Sequence, residues 1–258
     1  MRIASWNILS GKTYDGSPSP SLADEVAKLN VDILALQEVD HRMQRSEFTE
    51  QPALAAAGFD AVDWRFAPSY AAEEEAPRIY TPGVLHGPRS ELPSAHYGIA
   101  LLSRIPVRRW HRLELGAAPI GLPLLYARDG QRRLKYVTDE PHQAIAAELV
   151  NDWTVIGTHL SFVPPVNMLQ LRRIRMWARQ FGRKVVILGD LNLTYRFLPL
   201  GPLWMTAAHT RTYPAWRPAV QFDHILIRRG LRAKKLRRPR MGLSDHLPVL
   251  AEIRASVG

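Results

Sequence analysis

The chain has 258 residues, of which 46% are apolar and 22% charged, and its formal net charge is +10 at pH 7. This composition excludes a disordered polypeptide, and the length is sufficient for a sizeable core in one large or at most two small domains. The absence of cysteine excludes disulfides and thiolate zinc sites, so any metal must be held by oxygen or imidazole ligands. The positive charge favours an anionic partner such as nucleic acid, a phospholipid headgroup or a phosphorylated metabolite.

The first ten residues, MRIASWNILS, contain one basic residue and a short apolar run that polar residues interrupt. That pattern is too short and too polar for a signal peptide or a membrane span. The longest apolar stretches elsewhere are of strand length. We therefore expect a soluble protein with a cytoplasmic location.

Apolar runs of strand length recur along the whole chain, without an internal repeat or a low-complexity linker. Several of these runs are continuous and do not alternate with polar residues, as expected for strands that are covered on both faces. The predicted strands span residues 3–9, 31–36, 99–102, 144–150, 153–156, 185–188, 222–227 and 247–253.

Helical patterns lie between the strands. Residues 22–29 form an amphipathic segment with Ser21 as its N-cap, and residues 166–181 form a second one. The second segment would bury Met168, Leu169, Ile174, Trp177 and Phe181 and point its arginines outward. Asp129-Gly130 predicts a hairpin turn, and residues 66–96 are predicted as a long irregular excursion. Strands that alternate with helices and also pair in hairpins indicate an α/β domain with mixed sheets.

Carboxylate, amide and imidazole side chains lie where the apolar runs end. Five runs end at or just before such a residue, and a sixth group, Ser244-Asp245-His246, precedes its strand. Ligands bind at strand ends because side chains from separate strands converge there. The side chains in question are Asn7, Glu38, His159, Asp190 with Asn192, and Asp223.

These residue types suit two pieces of chemistry. Mg²⁺ prefers carboxylate and carbonyl oxygens and bridges to phosphate, so Glu38 is the best-placed ligand, with Asn7 and Asp245 nearby if the strands are neighbours. A histidine that has a carboxylate partner can remove a proton from water. His246 and Asp223 would form such a pair.

The same residues lie in motifs that resemble the endonuclease/exonuclease/phosphatase superfamily, which includes pancreatic-type deoxyribonucleases, sphingomyelinases, inositol-polyphosphate phosphatases and AP endonucleases. Each motif is weak alone, but together they follow the order of the family across nearly the whole chain. The motifs are SWNI at 5–8, LQEVD at 36–40, YGIALLSR at 97–104, GTHLS at 157–161, ILGDLNL at 187–193, FDHIL at 222–226 and SDHLPV at 244–249.

The resemblance implies a four-layer α/β sandwich in which two packed mixed β-sheets are flanked by helices, as a single domain over residues 1–258. It also implies metal-dependent phosphoester hydrolysis by an in-line water. Mg²⁺, or alternatively Mn²⁺, would be the cofactor. Glu38 would bind the metal with the help of Asn7 and Asp245.

The resemblance further implies roles for the remaining residues. His246 would be the general base, oriented by Asp223, and Asp190 would position or help activate the water. Asn192 would hydrogen-bond the phosphate, and His159 would contact a phosphoryl oxygen or protonate the leaving group. Whether Asp190 or His246 is the base, and whether a second metal is used, stays open.

Each of these residues also has a structural interpretation. Asp190 and Asn192 could form only a turn after a buried strand, and His246 could be a satisfied core histidine. No carboxylate partner for His159 is evident. The other histidines match no motif and are interpreted as structural or surface groups: His41, His86, His96, His111, His142 and His209.

The substrate is less well defined. The residues Val39-Asp40 and His159 depart from the AP-endonuclease pattern and favour the deoxyribonuclease, sphingomyelinase and phosphatase side of the superfamily. Trp216 and Arg217 could stack on and pair with an anionic substrate, or belong to an aromatic turn that packs on the core.

Residues 228–240, here called the basic segment, contain eight arginines and lysines. We expect the basic segment near the rim of the site, where it would attract a nucleic-acid backbone or an anionic membrane surface.

Three hypotheses follow from the sequence. The first is a divalent-metal-dependent phosphodiesterase or phosphatase, acting on nucleic acid, a phospholipid headgroup, or an inositol or sugar phosphate. The second narrows this activity to a Mg²⁺-dependent DNA endonuclease or exonuclease. The third is a non-catalytic anion-binding module on the same fold. The retained carboxylates and histidines argue against the third, since a module that only binds needs no base.

Overall fold

Two β-sheets pack face to face, and helices cover their outer faces. The structure is a computed structural model that describes residues 1–71, 79–80, 85–88, 90, 92–128 and 131–255. The layers follow the order α1 and α2, first sheet, second sheet, α3, which confirms the predicted four-layer α/β sandwich. The helices of the described residues are α1 (Leu22–Ala27), α2 (Gln51–Gly58) and α3 (Val166–Trp177).

Most strands belong to the two large sheets. The described strands are β1 (Arg2–Asn7), β2 (Ile33–His41), β3 (Asp63–Ala71), β4 (Ile79–Tyr80), β5 (His96–Ser103), β6 (Val107–Gly116), β7 (Leu122–Arg128), β8 (Gln131–Val137), β9 (His142–Leu149), β10 (Thr154–His159), β11 (Val185–Asp190), β12 (Trp204–Thr206), β13 (Asp223–Arg228), β14 (Leu231–Lys235) and β15 (Val249–Ala255). The first sheet has the order β14-β15-β1-β2-β5-β3-β4, and the second has the order β12-β13-β11-β10-β9-β6. Strands β7 and β8 pair with each other as a separate hairpin.

The continuous apolar runs are explained by burial on both faces of each sheet. In β2, Ile33 and Ala35 point into the core between the sheets, whereas Leu34 and Leu36 pack under α1 and α2. The second sheet repeats the arrangement, with Ile187 against α3. Each large side chain buried in this way contributes about 1.5–3 kcal/mol to stability.

The strand directions bring the predicted site residues to one end of the sandwich. Strand β1 is parallel to β2, and β10 is parallel to β11, so Asn7, His159 and Asp190 all lie at carboxyl ends. Strand β13 is antiparallel to β11, and its first residue, Asp223, is the register partner of Asp190. Asp223 therefore begins its strand, and the expectation that it follows a strand is wrong.

The helix predictions are largely confirmed. Ser21 Oγ accepts a hydrogen bond from the Asp24 amide at 3.4 Å, so Ser21 is the N-cap of α1. In α3, Ile174 is buried as predicted, but Leu169 is 60% exposed and Leu171 takes its place on the buried face. Arg172 and Arg173 of the same helix are exposed as predicted, whereas Arg175 is half-buried. No helix among the described residues is long and apolar enough to cross a membrane.

The predicted irregular excursion at 66–96 is wrong at both ends. Phe66 to Ala71 belongs to β3, and residues 96 onward belong to β5. The strand was hidden by Pro68, which stands where the register between β3 and β5 shifts, a position at which a proline is tolerated. The middle of the excursion and the Asp129-Gly130 turn lie outside the described residues, although β7 and β8 pair on either side of that turn.

Candidate active site

Asn7 joins the two sheets at the centre of the site. Its Nδ2 donates to Glu38 Oε1 at 2.8 Å and to Asp190 Oδ2 at 3.1 Å. Its Oδ1 accepts the backbone N–H of Leu9 at 3.1 Å, which fixes the orientation of the amide. One buried side chain thus sets the positions of two carboxylates on different strands.

Three site residues hold the left-handed backbone conformation that side chains other than glycine rarely adopt. The φ angles are 55° at Glu38, 49° at Asn192 and 70° at Ser244. Glu38 lies where the register between β2 and β5 shifts, so a bulge inside β2 turns its side chain toward the site. Such conformations each cost about 1–3 kcal/mol and cluster at functional sites.

His246 and Asp223 form a buried pair. His246 Nδ1 donates to Asp223 Oδ2 at 2.9 Å, and both side chains are at least nine-tenths buried. The loop before β15 is fixed by Ser244 Oγ, which accepts from the His246 amide at 3.0 Å, and by Trp6 Nε1, which donates to the His246 carbonyl at 3.1 Å. Since Nδ1 is occupied, the other ring nitrogen of His246 is left for chemistry.

Charge around this pair favours the protonated histidine. Burial lowers the pKa of His246, but the negative charges of Asp223 and Asp190 outweigh it and raise that pKa to about 10. Asp223 Oδ1 is buried without a hydrogen-bond partner among the described residues. This surplus of negative charge is the condition in which a bound cation would be favoured.

Asp190 lies between two histidines. Its Oδ2 is 3.7 Å from His159 Nε2 and 3.8 Å from His246 Nδ1. Burial raises the pKa of Asp190, but the two histidines outweigh it and hold that pKa below its ordinary value. Asp190 Oδ1 also accepts the backbone N–H of Asn192 at 2.9 Å. The turn proposed as an alternative interpretation is therefore present, and it coexists with a position at the centre of the site.

His159 has neighbours that its sequence context did not identify. Asn192 Nδ2 lies 3.4 Å from His159 Nε2 and donates to the Leu160 carbonyl at 2.8 Å. Behind His159, His142 packs edge-on with ring centroids 5.5 Å apart, and His142 Nδ1 donates to the His159 carbonyl at 3.0 Å. His142 Nε2 in turn contacts Asp139 Oδ1 at 3.0 Å. His142 is structural, as expected, but it supports a site residue directly.

Asp245 completes a group of carboxylates. Burial raises the pKa of Asp245 to about 6. Repulsion from Glu38 and Asp190 acts in the same direction, whereas the charge of His246 opposes the shift. No lysine or arginine forms an ion pair with these carboxylates among the described residues. A set of carboxylate oxygens plus one amide fits a hard divalent cation such as Mg²⁺. Ligand atoms of Asp190, Asp223 and His246 also lie within 4.8 Å of one another, but the last two are already hydrogen-bonded together.

Five of the predicted site residues line a cavity of about 270 Å³, namely Glu38, His159, Asp190, Asn192 and His246. Asn7, Asp223 and Asp245 do not line it; Asn7 and Asp223 lie behind it and are hydrogen-bonded to residues that do. The cavity lining adds side chains that the sequence patterns did not identify as functional, notably Arg45, Tyr70, Tyr97, Glu140 and Phe162. Arg45 donates to both carboxylate oxygens of the buried Asp40, at 2.9 and 2.7 Å, which places a fixed guanidinium at the cavity. Asp40 is the last residue of the LQEVD motif. Its carboxylate indicated that a cationic side chain would be its partner, but the motif did not indicate that this partner is Arg45.

Trp216 and Arg217 are exposed and do not line this cavity. They follow Ala215, whose amide donates to the Asp245 carbonyl at 2.7 Å. The turn that contains them therefore lies next to the loop before β15. The Trp216 ring packs on Tyr14 with centroids 4.7 Å apart, and both rings are about half exposed. Only a substrate that extends past Asp245 would reach them.

The basic segment is partly misplaced by the sequence interpretation. Arg228 ends β13, whereas Asp223 at the site begins it, so Arg228 lies at the opposite end of the sandwich. Lys234 in β14 is the register partner of Glu252, which also pairs with Arg2 at the beginning of β1. Only residues 236–240 of the basic segment, which follow β14, lead back toward the loop before β15 that contains Ser244 and His246. This is because β14 runs antiparallel to β15.

Structural comparisons identify the same architecture in other proteins. An endonuclease/exonuclease/phosphatase family protein from Bacteroides thetaiotaomicron superposes with a TM-score of 0.61 at 14% identity, covering 98% of this chain and 97% of that chain. The human Nocturnin catalytic domain with bound sulfate gives 0.56 at 17% identity, covering 99% and 94%. D. rerio TDP2 complexed with a single-strand DNA product gives 0.52 at 14% identity, covering 99% of each chain.

The sequence comparisons agree. No curated protein matches this chain. The sequence model described as the Endonuclease/Exonuclease/phosphatase family matches residues 4–246, which include every predicted site residue. The protein therefore belongs to the Endonuclease/Exonuclease/phosphatase family, whose members are metal-dependent phosphoester hydrolases.

Proposed function

We propose that this protein is a divalent-metal-dependent phosphodiesterase or phosphatase in which His246 and Asp223 activate an in-line water. The observation that carries the proposal is the 2.9 Å contact between His246 Nδ1 and Asp223 Oδ2, on a cavity that Glu38 also lines. A pure binding module has no use for a buried base that is oriented by a buried carboxylate. Because core residues of both sheets form one cluster, we also propose that residues 1–258 act as one domain.

The proposed water activation uses the histidine as a base. Asp223 holds the imidazole through Nδ1, so the opposite nitrogen accepts the proton of the attacking water. Asp223 then stabilises the imidazolium that forms. Asp190, which is bonded to Asn7 and Asn192, orients the water and is itself fixed from both sides.

The substrate phosphoryl group would be held from the other side of the cavity. Asn192 would hydrogen-bond a phosphoryl oxygen, and His159, 3.4 Å from the Asn192 amide, would contact a second oxygen or protonate the leaving group. The guanidinium of Arg45 would attract the phosphate charge at the same cavity. Fixed charges of this type stabilise a transition state because they need no reorganisation during the reaction.

Glu38, Asn7 and Asp245 would hold Mg²⁺, or alternatively Mn²⁺. When bound, the cation would offset the charge of the phosphoryl oxygens and lower the pKa of His246 toward neutrality. Asn7 already orients Glu38, so the ligand carboxylate is positioned by the protein itself.

The proposal is tested by hydrolysis of bis(p-nitrophenyl) phosphate and p-nitrophenyl phosphate with Mg²⁺, with Mn²⁺ and with EDTA. We expect turnover that requires the cation and falls by about 100-fold or more in Glu38→Gln. Glu47→Gln is the matched control, because Glu47 is an exposed glutamate with the same φ of 55° and lies outside the cavity. Turnover that persists in EDTA or in Glu38→Gln would contradict the metal assignment.

A nuclease is the second candidate, and the exposed Tyr14–Trp216 pair beside Asp245 favours it. Aromatic rings next to arginines are a common platform for stacked bases of single-stranded nucleic acid. Incubation of plasmid and single-stranded DNA with Mg²⁺ or Mn²⁺ should therefore give cleavage that weakens in Trp216→Ala. Intact DNA, together with hydrolysis of a phospholipid or inositol phosphate, would reject this candidate. Failure on every phosphoester would favour the non-catalytic module.

A further inference from the structure

Four arginines surround a second cavity, of about 300 Å³, on the outer face of the second sheet. Three of them are spaced along α3 and the turn that follows it, at positions i, i+3 and i+7, so they share one face. The fourth extends from the end of β13. We call this cavity the arginine pocket; its arginines are Arg172, Arg175, Arg179 and Arg228.

None of the four arginines forms an ion pair with a carboxylate among the described residues. Arg175 is half-buried, and neither a hydrogen bond nor an ion pair to a described residue satisfies it. The Nε atoms of Arg175 and Arg228 are both buried without a hydrogen-bond partner. Arg228 donates from Nη2 to the Ala178 carbonyl at 2.6 Å, so only part of its fork is used.

Four like charges in one partly buried cavity are unfavourable without a counter-charge. Burial lowers the pKa of Arg175, and repulsion from Arg179 and Arg172 lowers it further. Burial also lowers the pKa of Arg228, again reinforced by repulsion from Arg179. In an ordinary exposed cluster of arginines, water screens the charges from one another and hydrogen-bonds to the guanidinium N–H groups. Here two guanidinium Nε–H donors are withheld from water, so a ligand that brings acceptors and negative charge would relieve both costs.

The arginine pocket is separate from the candidate active site. Asp223 and Arg228 stand at opposite ends of the six-residue strand β13, which places them about 17 Å apart along the strand. None of the residues that line the arginine pocket lines the active-site cavity.

We propose that the arginine pocket binds an oligophosphate anion, such as pyrophosphate or the phosphates of a nucleoside diphosphate. Guanidinium forks match the geometry of phosphate oxygens, and four cations balance two linked phosphates better than one. The indole of Trp204 lies 5.6 Å from the Arg228 guanidinium carbon and holds that fork in place. The exposed side chains of Met176 and Leu203 add an apolar wall that an attached organic group would contact.

The test is calorimetric titration of the full chain with pyrophosphate, inorganic phosphate and ADP in EDTA. We expect pyrophosphate and ADP to bind more tightly than phosphate, and Arg175→Gln to weaken binding by about 10-fold or more. Arg173→Gln is the matched control, since Arg173 is the exposed neighbour on the same helix and does not line the pocket. Binding must also survive in His159→Ala, because His159 lines the active-site cavity and not the arginine pocket.

A second measurement keeps the proposal testable if Arg175→Gln binds poorly for structural reasons. Without ligand, Arg175→Gln should unfold at the same or a higher temperature than wild type, because a crowded cation is removed. Arg172→Gln, at an exposed position, should weaken pyrophosphate binding without altering the fold. Equal affinity in Arg173→Gln and both pocket variants would overturn the proposal. So would binding of a single-stranded oligonucleotide that depends on Arg175 while pyrophosphate and ADP do not bind.

Discussion

Asp190 serves two roles that the sequence pattern presents as alternatives. Its Oδ1 closes a turn with the Asn192 amide, and its Oδ2 accepts from Asn7 between His159 and His246. A carboxylate has two oxygens, so the turn and the site do not compete. The turn even helps the site, because it fixes the carboxylate that the proposed reaction needs.

The buried pair of Asp139 and His142 should show a pH-dependent contribution to stability. Burial raises the pKa of Asp139, but the hydrogen bond and charge of His142 outweigh it and lower that pKa below 3.8. A carboxyl group whose folded-state pKa is depressed stabilises the fold above its unfolded-state pKa and loses this contribution as the pH falls through the folded-state value. Asp139→Asn should therefore lower the free energy of unfolding by about 1–2 kcal/mol at pH 7, and by less near pH 3.

Urea denaturation of wild type and Asp139→Asn at both pH values measures this difference. Asp152→Asn is the control, because its side chain is 73% exposed and its contact with Arg108 is 3.4 Å long, so little change is expected. An Asp139→Asn effect that is equal at both pH values would show that packing, and not charge, holds His142.

At the level of single residues, the sequence predicted which side chains meet at the site better than it predicted the residues that support them. Asn7 and Asp190 are joined as expected because each ends its strand. The expectation that a strand ends at Glu38 is wrong, since β2 continues to His41 and a bulge brings Glu38 to Asn7. The roles of His142 and Arg45 were not predictable, since His142 acts through a cross-strand contact and Arg45 through Asp40. The contact of His142 depends on strand register, and that of Arg45 depends on the turn after β2; local apolar patterns contain neither.

At the level of elements, burial on both faces made the central strands predictable. The sequence missed β3, β4, β6, β12 and β14, none of which has a long continuous apolar run. Strand β6 is the edge of the second sheet and is rich in arginine and half-exposed residues, so its apolar content is low. The bulge in β2 was also unpredictable, since the residue that adopts φ 55° is a glutamate and not a glycine.

The close approach of β10 and β11 gives an element-scale prediction. A Cβ placed on Gly189 would lie 1.9 Å from the Thr158 carbonyl oxygen, so Gly189→Ala must push the two strands apart. Asp190 follows directly, and its distances to His159 and His246 would change with the strand. We expect a loss of about 2–4 kcal/mol in unfolding free energy and a large loss of activity.

Gly182→Ala is the control for this prediction, because a Cβ at Gly182 would meet no atom within 4 Å. Thermal unfolding and phosphodiester hydrolysis, measured on both variants, separate the strand effect from a general effect of alanine. A Gly189→Ala protein with wild-type stability would contradict the packing of these strands.

At the scale of the whole molecule, the net charge of +10 is unevenly distributed. Strand β14 is the edge of the first sheet, and its exposed Lys234 and Lys235 discourage pairing with other strands. The same lysines can attract a polyanion. If they contact phosphates, affinity for single-stranded DNA should fall with salt, and the slope should decrease by about 0.7 for each contact removed.

The matched comparison is Lys234→Gln with Lys235→Gln against Arg108→Gln with Arg109→Gln on the edge of the second sheet. Both double variants lose two positive charges, so only the position differs. A smaller salt slope in the lysine variant alone would place DNA along β14. Equal slopes would indicate attraction by net charge.

The central claim is that His246, oriented by Asp223, is the base of a metal-dependent phosphoester hydrolase. The most direct measurement is kcat for bis(p-nitrophenyl) phosphate with Mg²⁺ in wild type, His246→Ala and His209→Ala. His209 is an exposed histidine outside the cavity and serves as the control. The account predicts a fall of about 10²–10⁴-fold in His246→Ala, with KM little changed and His209→Ala unaffected. A His246→Ala enzyme that retains the wild-type kcat would contradict it.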